Sequence, residues 1–339
     1  MSANHQPVAS NTPSNRTVSR RGLLAGGLGV AALFGLAACG TDDDGPSAGG
    51  GSQAAAGTRK IDTAKGPIEI PAQPARVVTI QPSASATLYD LGVVPVGVYD
   101  QGEEYISPRY KDRWTPAPKI GTAGQIDLEK VAALKPDVII GVDYPWNTDV
   151  YDKLSALAPT VIATADTWQA TARTTADAVG KRDRIADLEK QITERANTIK
   201  STYAAVLGRY KWSILQGGFD QGQYWVYGPG SDVGTILAAA GIQFAPASAA
   251  VPGPGNQALS YERIDALADG DVIGFYAGYD GKPNNEGPKL WAQPAFTNLP
   301  AAKNNRLVPI PDFLPGGYGD ALAVLDQVEA GLKTLQSAA

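Results

Sequence analysis

Aromatic side chains follow the end of an apolar run in the middle of the chain. Tyr144 and Trp146 come shortly after residues 138–140, a run with the length of a buried strand. In an open α/β sheet, ligands lie outside the carboxyl ends of the strands. Flat aromatic side chains at such an edge favour contact with a large planar or apolar ligand, with a few polar groups to orient it. The chemistry indicated is binding by contact.

The elements that position these side chains can be read from the preceding residues. Leu128, Val131 and Leu134 recur at helical spacing and predict a short helix with one apolar face. Asp127 is a suitable cap for the start of this helix, and Pro136 prevents its continuation. The pattern therefore predicts a helix, a buried strand and an aromatic loop, in that order.

The same pattern occurs again in the second half of the chain. Tyr276 and Tyr279 follow the apolar run 272–275, and Ser260 is the expected cap of a helix that precedes this run. Two such units predict two similar lobes whose ligand-facing edges oppose each other. The alternative is that these are two ordinary helix–strand units whose similarity is a coincidence.

Alternating strands and helices predict an α/β fold with two Rossmann-like lobes, each with a central, mostly parallel sheet. We place the N-terminal lobe at residues 60–169 and the C-terminal lobe at 209–339. Helical spacing between 170 and 208 predicts a long rigid helix that joins the lobes, with two helices meeting near Gly180. Alternatively, the part beyond Arg182 packs wholly on the second lobe. The ligand cleft is expected between the lobes.

The loops expected at the carboxyl ends of the strands are rich in aromatic residues. Trp225 and Tyr318 belong to these aromatic residues, but they are not among our candidate ligand contacts. Seven residues are our candidate ligand contacts: Tyr99, Tyr144, Trp146, Trp168, Tyr224, Tyr276 and Tyr279.

The first 38 residues are typical of an export signal. Arg20 and Arg21 precede an apolar run rich in Gly and Ala, which ends in residues 36–39 (LAAC). This arrangement predicts a signal peptide, and the adjacent arginines favour the twin-arginine route over the Sec route. The final four residues resemble the lipobox of bacterial lipoproteins, in which the cysteine, here Cys39, is lipidated. Residues 39–59 predict a flexible tether. We expect an extracytoplasmic protein that is lipid-anchored to the cell membrane.

Composition restricts the chemistry of the exported chain. The only histidine, His5, and the only methionine, Met1, precede the predicted cleavage point, and Cys39 is the only cysteine. Nucleophile–histidine triads, histidine-ligated zinc sites and histidine-ligated haem sites are therefore excluded. Paired carboxylates remain available, but nothing places two acids together except the loop residues Glu103 and Glu104. We expect a binding protein with no metal site and no cofactor.

The net charge argues against a polyanionic partner. Loss of the three arginines of the signal from the 29 basic residues leaves 26, against 34 acidic residues, a net charge of −8. Nucleic acid and anionic membrane faces attract basic surfaces. We therefore expect no nucleic-acid partner.

Several segments together resemble a known family. The chain is similar to the cluster A, or class III, substrate-binding proteins of bacterial ABC importers, over about residues 60 to 335. The matching segments are 74–78 (PARVV), 128–139 (LEKVAALKPDVI), 259–264 (LSYERI) and 271–273 (DVI). The resemblance implies a shallow cleft between two lobes and a ligand such as a ferric siderophore, haem or cobalamin. It also implies that Glu129 and Glu262 dock onto arginines of a membrane permease. The alternative is that each glutamate only stabilises the start of its own helix through the helix dipole.

The resemblance and the composition together indicate the ligand class. A zinc or manganese importer would need histidines, and haem could be held only by a tyrosine. A chelated iron complex brings its own ligands, so we expect a ferric siderophore, with haem as the alternative. Arg109 and Arg306 are candidate anchors for an anionic chelate, whereas Arg76 is expected to form a structural ion pair. Two alternatives belong to other functional classes. One is an exported α/β enzyme such as an acid/base glycosidase, and the other is an adhesion or sensor module.

Overall fold

The computed structural model describes residues 57–122 and 124–338. The predicted signal peptide, Cys39 and most of the predicted tether lie outside the described residues. The described part opens with an antiparallel hairpin of β1 (Thr58–Ile61) and β2 (Ile68–Pro71). Arg59 of β1 donates a hydrogen bond to the backbone carbonyl of Asp177. The hairpin is therefore tied to the end of the helix that contains Asp177 (Trp168–Ala178).

The first lobe is built around a four-stranded parallel sheet. Its strands and those of a small hairpin are β3 (Val77–Thr79), β4 (Gly97–Val98), β5 (Gly121–Thr122), β6 (Gln125–Ile126), β7 (Val138–Val142) and β8 (Thr160–Ala163). The sheet order is β4-β3-β7-β8, and β5 pairs with β6. All five residues of β7 are buried, because helices and loops cover both faces of a parallel sheet.

Strand β4 is only two residues long. Residues 93–96 are largely apolar, but only Gly97 and Val98 pair with the sheet. Pro95 has no N–H to donate to a strand ladder, and the side chain of Val94 is exposed. The chain therefore joins the sheet only after the proline.

Six helices surround this sheet. They are α1 (Pro82–Asp90), α2 (Lys111–Trp114), α3 (Leu128–Ala133), α4 (Pro145–Thr148), α5 (Tyr151–Ser155) and α6 (Trp168–Ala178), and a 3-10 turn covers Glu103–Tyr105. The predicted cap of α3 is confirmed, since the Asp127 carboxylate accepts a hydrogen bond of 3.0 Å from the backbone N–H of Lys130.

The second lobe contains a six-stranded mixed sheet. Its strands are β9 (Lys211–Gly217), β10 (Gln223–Tyr227), β11 (Gln243–Phe244), β12 (Asn256–Ser260), β13 (Val272–Tyr276) and β14 (Leu307–Ile310). The order is β12-β10-β9-β13-β14, and β11 pairs with the start of β9. Strands β9, β13 and β14 are parallel, whereas β10 is antiparallel to both of its neighbours. The connection from β9 to β10 is too short for a parallel crossover.

The remaining helices belong to the second lobe or lead into it. They are α7 (Asp183–Thr202), α8 (Ala204–Arg209), α9 (Asp232–Ala239), α10 (Pro246–Ala249), α11 (Gly287–Trp291), α12 (Pro294–Thr297), α13 (Pro300–Lys303) and α14 (Tyr318–Ser337), and a 3-10 helix covers Tyr261–Leu267. Ser260 precedes this 3-10 helix, but its side chain makes no capping hydrogen bond. Ser260 thus occupies the cap position at the end of β12, but the expected capping by its side chain is wrong. Among the described helices, none is long and apolar enough to cross a membrane.

The chain crosses between the lobes at the turn between α6 and α7. Gly180 in this turn has a φ of +66°, a left-handed conformation that glycine adopts most readily. Helix α6 packs on α1 and the first sheet, whereas α7 packs mainly along α14 and α9. Arg195 of α7 binds Asp326 and Glu329 of α14. The long helix therefore packs mostly on the second lobe, as in the alternative considered for the residues beyond Arg182.

The lobes also touch directly where the start of α14 meets the end of α1. A Cβ atom on Gly317 or Gly319 would lie 2.6 or 2.4 Å from the carboxylate of Asp90. Contacts this short do not occur for real Cβ atoms, so only glycine permits this approach. The glycines of this loop thus bring the two lobes together below their facing edges.

Candidate functional site

A cavity of about 810 Å³ lies between the two lobes. Its walls are formed mostly by loops that follow β3, β4 and β7 in the first lobe and β9, β13 and β14 in the second. The carboxyl ends of strands are the usual position of ligands in α/β folds. The prediction that the ligand-facing edges of two lobes oppose each other is confirmed.

Large apolar side chains that are exposed to solvent concentrate at this cavity. Among the described residues, seven large hydrophobic side chains are exposed, and four of these line the cavity: Tyr105, Phe219, Tyr279 and Leu314. Phe219 is 67% exposed and meets Trp225 edge-on at a centroid distance of 5.0 Å. Apolar surface grouped in this way marks an interaction site rather than random exposure.

The loop after β7 presents a stacked aromatic pair. The rings of Tyr144 and Trp146 lie 4.8 Å apart at an angle of 17°. Asn147 is fully buried, and its amide donates to the side chain of Gln81 at 3.1 Å and to the carbonyl of Val142 at 3.0 Å. These bonds fix the loop, so that Tyr144 lines the cavity while Trp146 supports its ring from an exposed position.

The opposite wall carries the aromatic residues of the second unit. Tyr276 and Tyr279 both line the cavity. The Tyr279 hydroxyl donates to Asp312 at 2.9 Å, and the ring of Tyr276 lies 5.7 Å from that of Phe313. Tyr99 from the loop after β4 is a further lining residue.

Three of the seven candidate contacts do not line the cavity: Trp146, Trp168 and Tyr224. Trp168 is buried in the core, where it meets Tyr318 edge-on at 4.9 Å. Tyr224 is fully buried, and its hydroxyl donates to the carbonyl of Arg263 at 2.7 Å. The structure therefore does not bring Trp168 or Tyr224 to the cavity, because the first helical residue of α6 is buried in the core and the side chain of Tyr224 packs in the core beside the 3-10 helix.

Sequence reasoning missed five aromatic residues that line the cavity: Tyr89, Tyr105, Tyr110, Trp114 and Phe219. Tyr105 lies in the loop after β4, so the strand-end rule that selected Tyr99 could also have selected it. Phe219 occupies the short turn after β9 and could have been found in the same way. The other three come from α1 and from an irregular segment near α2, where no strand-end signal exists.

Charged groups from both lobes meet at the floor of the cavity. Arg109 of the first lobe lies 3.8 Å from Asp312 and 3.4 Å from Asp320 of the second. Its guanidinium also donates to the carbonyl of Gly319. Asp90 accepts hydrogen bonds from the Tyr110 hydroxyl at 2.7 Å and from the Gly319 N–H at 2.9 Å. This cluster, which we call the interlobe cluster, ties the lobes together.

The three arginines considered as anchors have different roles. Arg109 faces carboxylates of the interlobe cluster. The Arg76 side chain donates to the carbonyls of Leu134 at 2.6 Å and Lys135 at 3.1 Å after α3, so the expected ion pair of this side chain is replaced by a helix-end cap. Arg306 lies 4.8 Å over the ring of Tyr210 and lines a separate cavity of about 450 Å³.

Burial keeps the tyrosines of the cavity in their neutral form. It raises the pKa of Tyr89 and of Tyr276 to about 12. Burial also raises the pKa of Tyr279, with a further contribution from the nearby charge of Asp312. These hydroxyl groups therefore act as hydrogen-bonding groups over the physiological pH range.

The interlobe cluster should make stability depend on pH. Burial, and then the charges of Asp312 and Asp90, raise the pKa of Asp320 to about 7, well above the ordinary value of 3.8. Between about pH 4 and 7 the folded state thus binds more protons than the unfolded state, so the free energy of unfolding rises as the pH falls. We expect Asp320→Asn to flatten this dependence in urea unfolding between pH 8 and 5. Asp326→Asn, on the exposed side of the same helix, should leave it unchanged, and equal slopes for all three proteins would contradict the assignment.

Glu129 and Glu262 occupy equivalent places in the two lobes. Each is the second residue of a short helix that leads into a central strand, α3 before β7 and the 3-10 helix before β13. Both side chains are exposed. Neither carboxylate forms an ion pair with a residue in the described part of the chain. Both are therefore accessible to a partner.

Comparison with known proteins agrees with this architecture. The "Probable siderophore-binding lipoprotein YfiY" of Bacillus subtilis (strain 168) is 28% identical over 80% of this chain and 87% of its own length. The "Iron(3+)-hydroxamate-binding protein YxeB" of the same organism is 27% identical over 91% of this chain and 94% of its own. Staphylococcus aureus SirA, solved in complex with staphyloferrin B, superposes with a TM-score of 0.67 at 26% identity, covering 81% of this chain and 99% of that one. Residues 77–313 match the family described as periplasmic binding protein, so the chain belongs to that family.

Proposed function

We propose that this protein captures a ferric siderophore in the interlobe cavity and delivers it to the permease of an ABC importer. The observation that carries the proposal is the cavity itself, whose exposed aromatic and apolar walls come from both lobes. Its volume of about 810 Å³ is within the range of small-molecule sites. The names of the relatives, which refer to siderophores and ferric hydroxamates, support this ligand class.

A chelated iron complex suits the side chains of the cavity. Such a complex already surrounds its metal with oxygen ligands, so the protein has to supply only shape, stacking and a few hydrogen bonds. The Tyr144–Trp146 pair and the hydroxyl of Tyr279 provide these contacts. Tyr99 and Tyr276 extend the wall on either side.

The haem alternative is less well supported. Iron in haem is held by an axial ligand, which in this histidine-free cavity would be a tyrosinate. Such a ligand requires a phenol with a lowered pKa, whereas burial raises the pKa of Tyr89 and Tyr276 to about 12. The cavity thus favours a ligand that does not need a protein donor on the metal.

A glycosidase activity would require two carboxylates that flank a bound substrate. Asp312 accepts hydrogen bonds from Tyr279 and Gln327 and faces Arg109. Asp320 accepts a hydrogen bond from the Gly316 N–H and also faces Arg109. Both carboxylates are engaged within the fold, which favours binding over acid/base catalysis.

Tryptophan fluorescence tests the proposed ligand class. Trp114 lines the cavity and Trp146 stacks on a lining residue, so a ferric complex bound there should quench both. We expect saturable quenching of the purified protein by at least one member of a panel of ferric hydroxamates, ferric catecholates and ferric citrate. Haemin and cobalamin serve as the competing ligands. Quenching by haemin alone would support the haem alternative, and the absence of saturable quenching by any iron complex would contradict the proposal.

Delivery to a permease requires a docking surface, and we assign this role to Glu129 and Glu262. One exposed carboxylate on each lobe allows a partner with two basic patches to sense how far apart the lobes are. A surface adhesion or sensor module of the same fold would bind the ligand without supporting its uptake. Uptake of a radioactive iron complex by cells that express the protein and its permease separates these cases.

The anchoring of the protein is part of the same proposal. Lipidation of Cys39 would hold the chain at the outer face of the cell membrane beside the permease. Removal of the acceptor by Cys39→Ser should release the protein from the membrane fraction without changing its affinity for the ligand. Retention of the variant in that fraction would contradict lipid anchoring through Cys39.

A further inference from the structure

The charged residues that line the interlobe cavity are all acidic. Four aspartates reach its surface: Asp100, Asp232, Asp312 and Asp320. Among the described residues that line the cavity, none is lysine, arginine or histidine. A ligand in contact with these walls therefore meets carboxylates and hydroxyl groups.

Arg109 and Arg113 do not line the cavity and are engaged by other groups of the fold. Arg109 is held by Asp312 and Asp320. Arg113 lies 5.0 Å over the ring of Tyr89 and donates to the carbonyls of Tyr89 and Arg109. These guanidinium groups reduce the negative potential of the first lobe but offer no contact to a ligand in the cavity.

Lys119 is held in the same way. Its ammonium group lies 3.8 Å from the ring centroid of Trp114 and donates to the backbone carbonyls of Trp114 and Ala117 at 2.7 Å. Trp114 thus separates this ammonium from the cavity. Lys119 is therefore also engaged by groups of the fold and does not line the cavity.

Asp232, like Asp100, has a single hydrogen-bond partner among the described residues, whereas Asp312 and Asp320 each have several partners. Asp232 is the first residue of α9, and among the described residues its carboxylate accepts a single hydrogen bond, of 3.4 Å, from the backbone N–H of Trp168. Within the described chain it forms no ion pair, unlike Asp312 and Asp320. One oxygen of this carboxylate is therefore free to accept a hydrogen bond from a ligand.

Tyr144 lines the same cavity as this carboxylate. Burial and then the charge of Asp232 raise the pKa of Tyr144. Burial also raises the pKa of Asp232, while the N-terminus of α9 stabilises its charged form. A cavity that presents both a carboxylate and an aromatic ring is a favourable environment for an organic cation, which can gain an ion pair and a cation–π contact.

We propose that the preferred ligand is a ferric complex with a protonated amine arm, and that Asp232 is the counter-ion of this arm with Tyr144 beside it. This inference rests on the proposed function, since it specifies the charge of the iron complex. Ferric tris-hydroxamate cores are neutral, so an ammonium arm makes the complex a cation. Ferric tris-catecholate and ferric citrate complexes are anions. The cavity carboxylates would repel them, because no basic side chain lines the cavity to compensate.

The test combines a matched pair of ligands with a matched pair of variants. The ligands are ferrioxamine B, a linear ferric trihydroxamate with one primary ammonium group, and its N-acetylated form, which lacks that charge. The proteins are wild type, Asp232→Asn, and Asp265→Asn as a control for removal of an exposed charge from the same lobe. The Asp232→Asn variant keeps a side-chain oxygen that can accept the hydrogen bond from the Trp168 N–H, and thermal unfolding verifies that each variant is folded.

We expect wild type to bind the cationic complex about tenfold more tightly than the acetylated one, as for a charge-assisted hydrogen bond. Asp232→Asn should reduce this ratio to about twofold or less by weakening only the cationic complex, and Asp265→Asn should leave the ratio unchanged. Three results would overturn the inference while leaving the proposed function intact. Wild type could bind both complexes equally well, or the preference for the cationic complex could survive in Asp232→Asn. Wild type could also bind ferric citrate or a ferric tris-catecholate more tightly than the cationic complex. Failure of every iron complex to bind would instead overturn the proposed function, and this inference with it.

Discussion

Replacement of Arg109 by methionine is expected to lower the free energy of unfolding by about 2–4 kcal/mol at pH 7.5. The guanidinium is the ion-pair partner of Asp312 and Asp320, whose side chains are only 3% and 12% exposed. Its removal leaves two buried carboxylates close to each other and to Asp90, without the charge that compensates them. An uncompensated buried charge costs several times more than the loss of a surface ion pair.

Urea unfolding followed by circular dichroism measures this change. Arg173→Met is the matched control, because its ion pair with Glu189 is exposed and its loss should cost about 1 kcal/mol or less. The loss for Arg109→Met should shrink at pH 5, where protonation of Asp320 removes one of the repelling charges. The double variant Arg109→Met with Asp320→Asn should recover part of the lost free energy of unfolding at pH 7.5. A cost no larger than that of the control would show that the interlobe cluster does not hold the lobes together.

Reversal of both exposed glutamates, Glu129→Lys with Glu262→Lys, is expected to reduce uptake of the ferric complex at least tenfold. Two like charges placed against basic patches of a permease cost several kcal/mol. Ligand affinity should stay within about twofold, since neither residue lines the cavity. Cellular uptake of radioactive iron, with binding to the purified protein measured in parallel, separates docking from capture.

The control for this experiment is an exposed acid far from the two helices. Glu194→Lys on α7 changes the net charge in the same direction at a site that pairs only with Lys190 of the same helix within the described residues. Uptake should be normal in this variant, and each single glutamate reversal should give an intermediate value. Normal uptake in the double variant would contradict the docking assignment.

The loop positions at the carboxyl ends of the strands could be predicted because they follow from local signals. Apolar runs of strand length, a capping aspartate and a helix-ending proline place Tyr144 and Tyr276 at facing edges. Tyr99 and Tyr279 follow the same rule. Local periodicity carries this information because the direction of a parallel strand fixes which loops share an edge.

The direction of individual side chains is a different matter. Trp168 begins a helix and Tyr224 lies in a strand, and both could turn toward the cavity or toward a core. The choice depends on what packs against each element, Tyr318 in one case and the 3-10 helix in the other. These partners are far away in the sequence, so no local pattern reports them.

The interlobe cluster was invisible to sequence reasoning for the same reason. Arg109 and Asp320 are separated by 211 positions, and each alone resembles an ordinary surface charge. Gly317 and Gly319 carry no local signal of their contact with Asp90. Their function, to let the start of α14 approach Asp90, emerges from the packing of one lobe on the other.

The most direct test of the account is the position of the iron itself. Crystals of the protein soaked with a ferric trihydroxamate can be measured at the iron absorption edge, where the anomalous signal locates the metal. We predict one strong peak in the cavity between Tyr144 of the first lobe and Tyr276 of the second. A peak outside this cavity, or no peak with a complex that binds in solution, would contradict the claim that the facing edges of the two lobes hold the ligand.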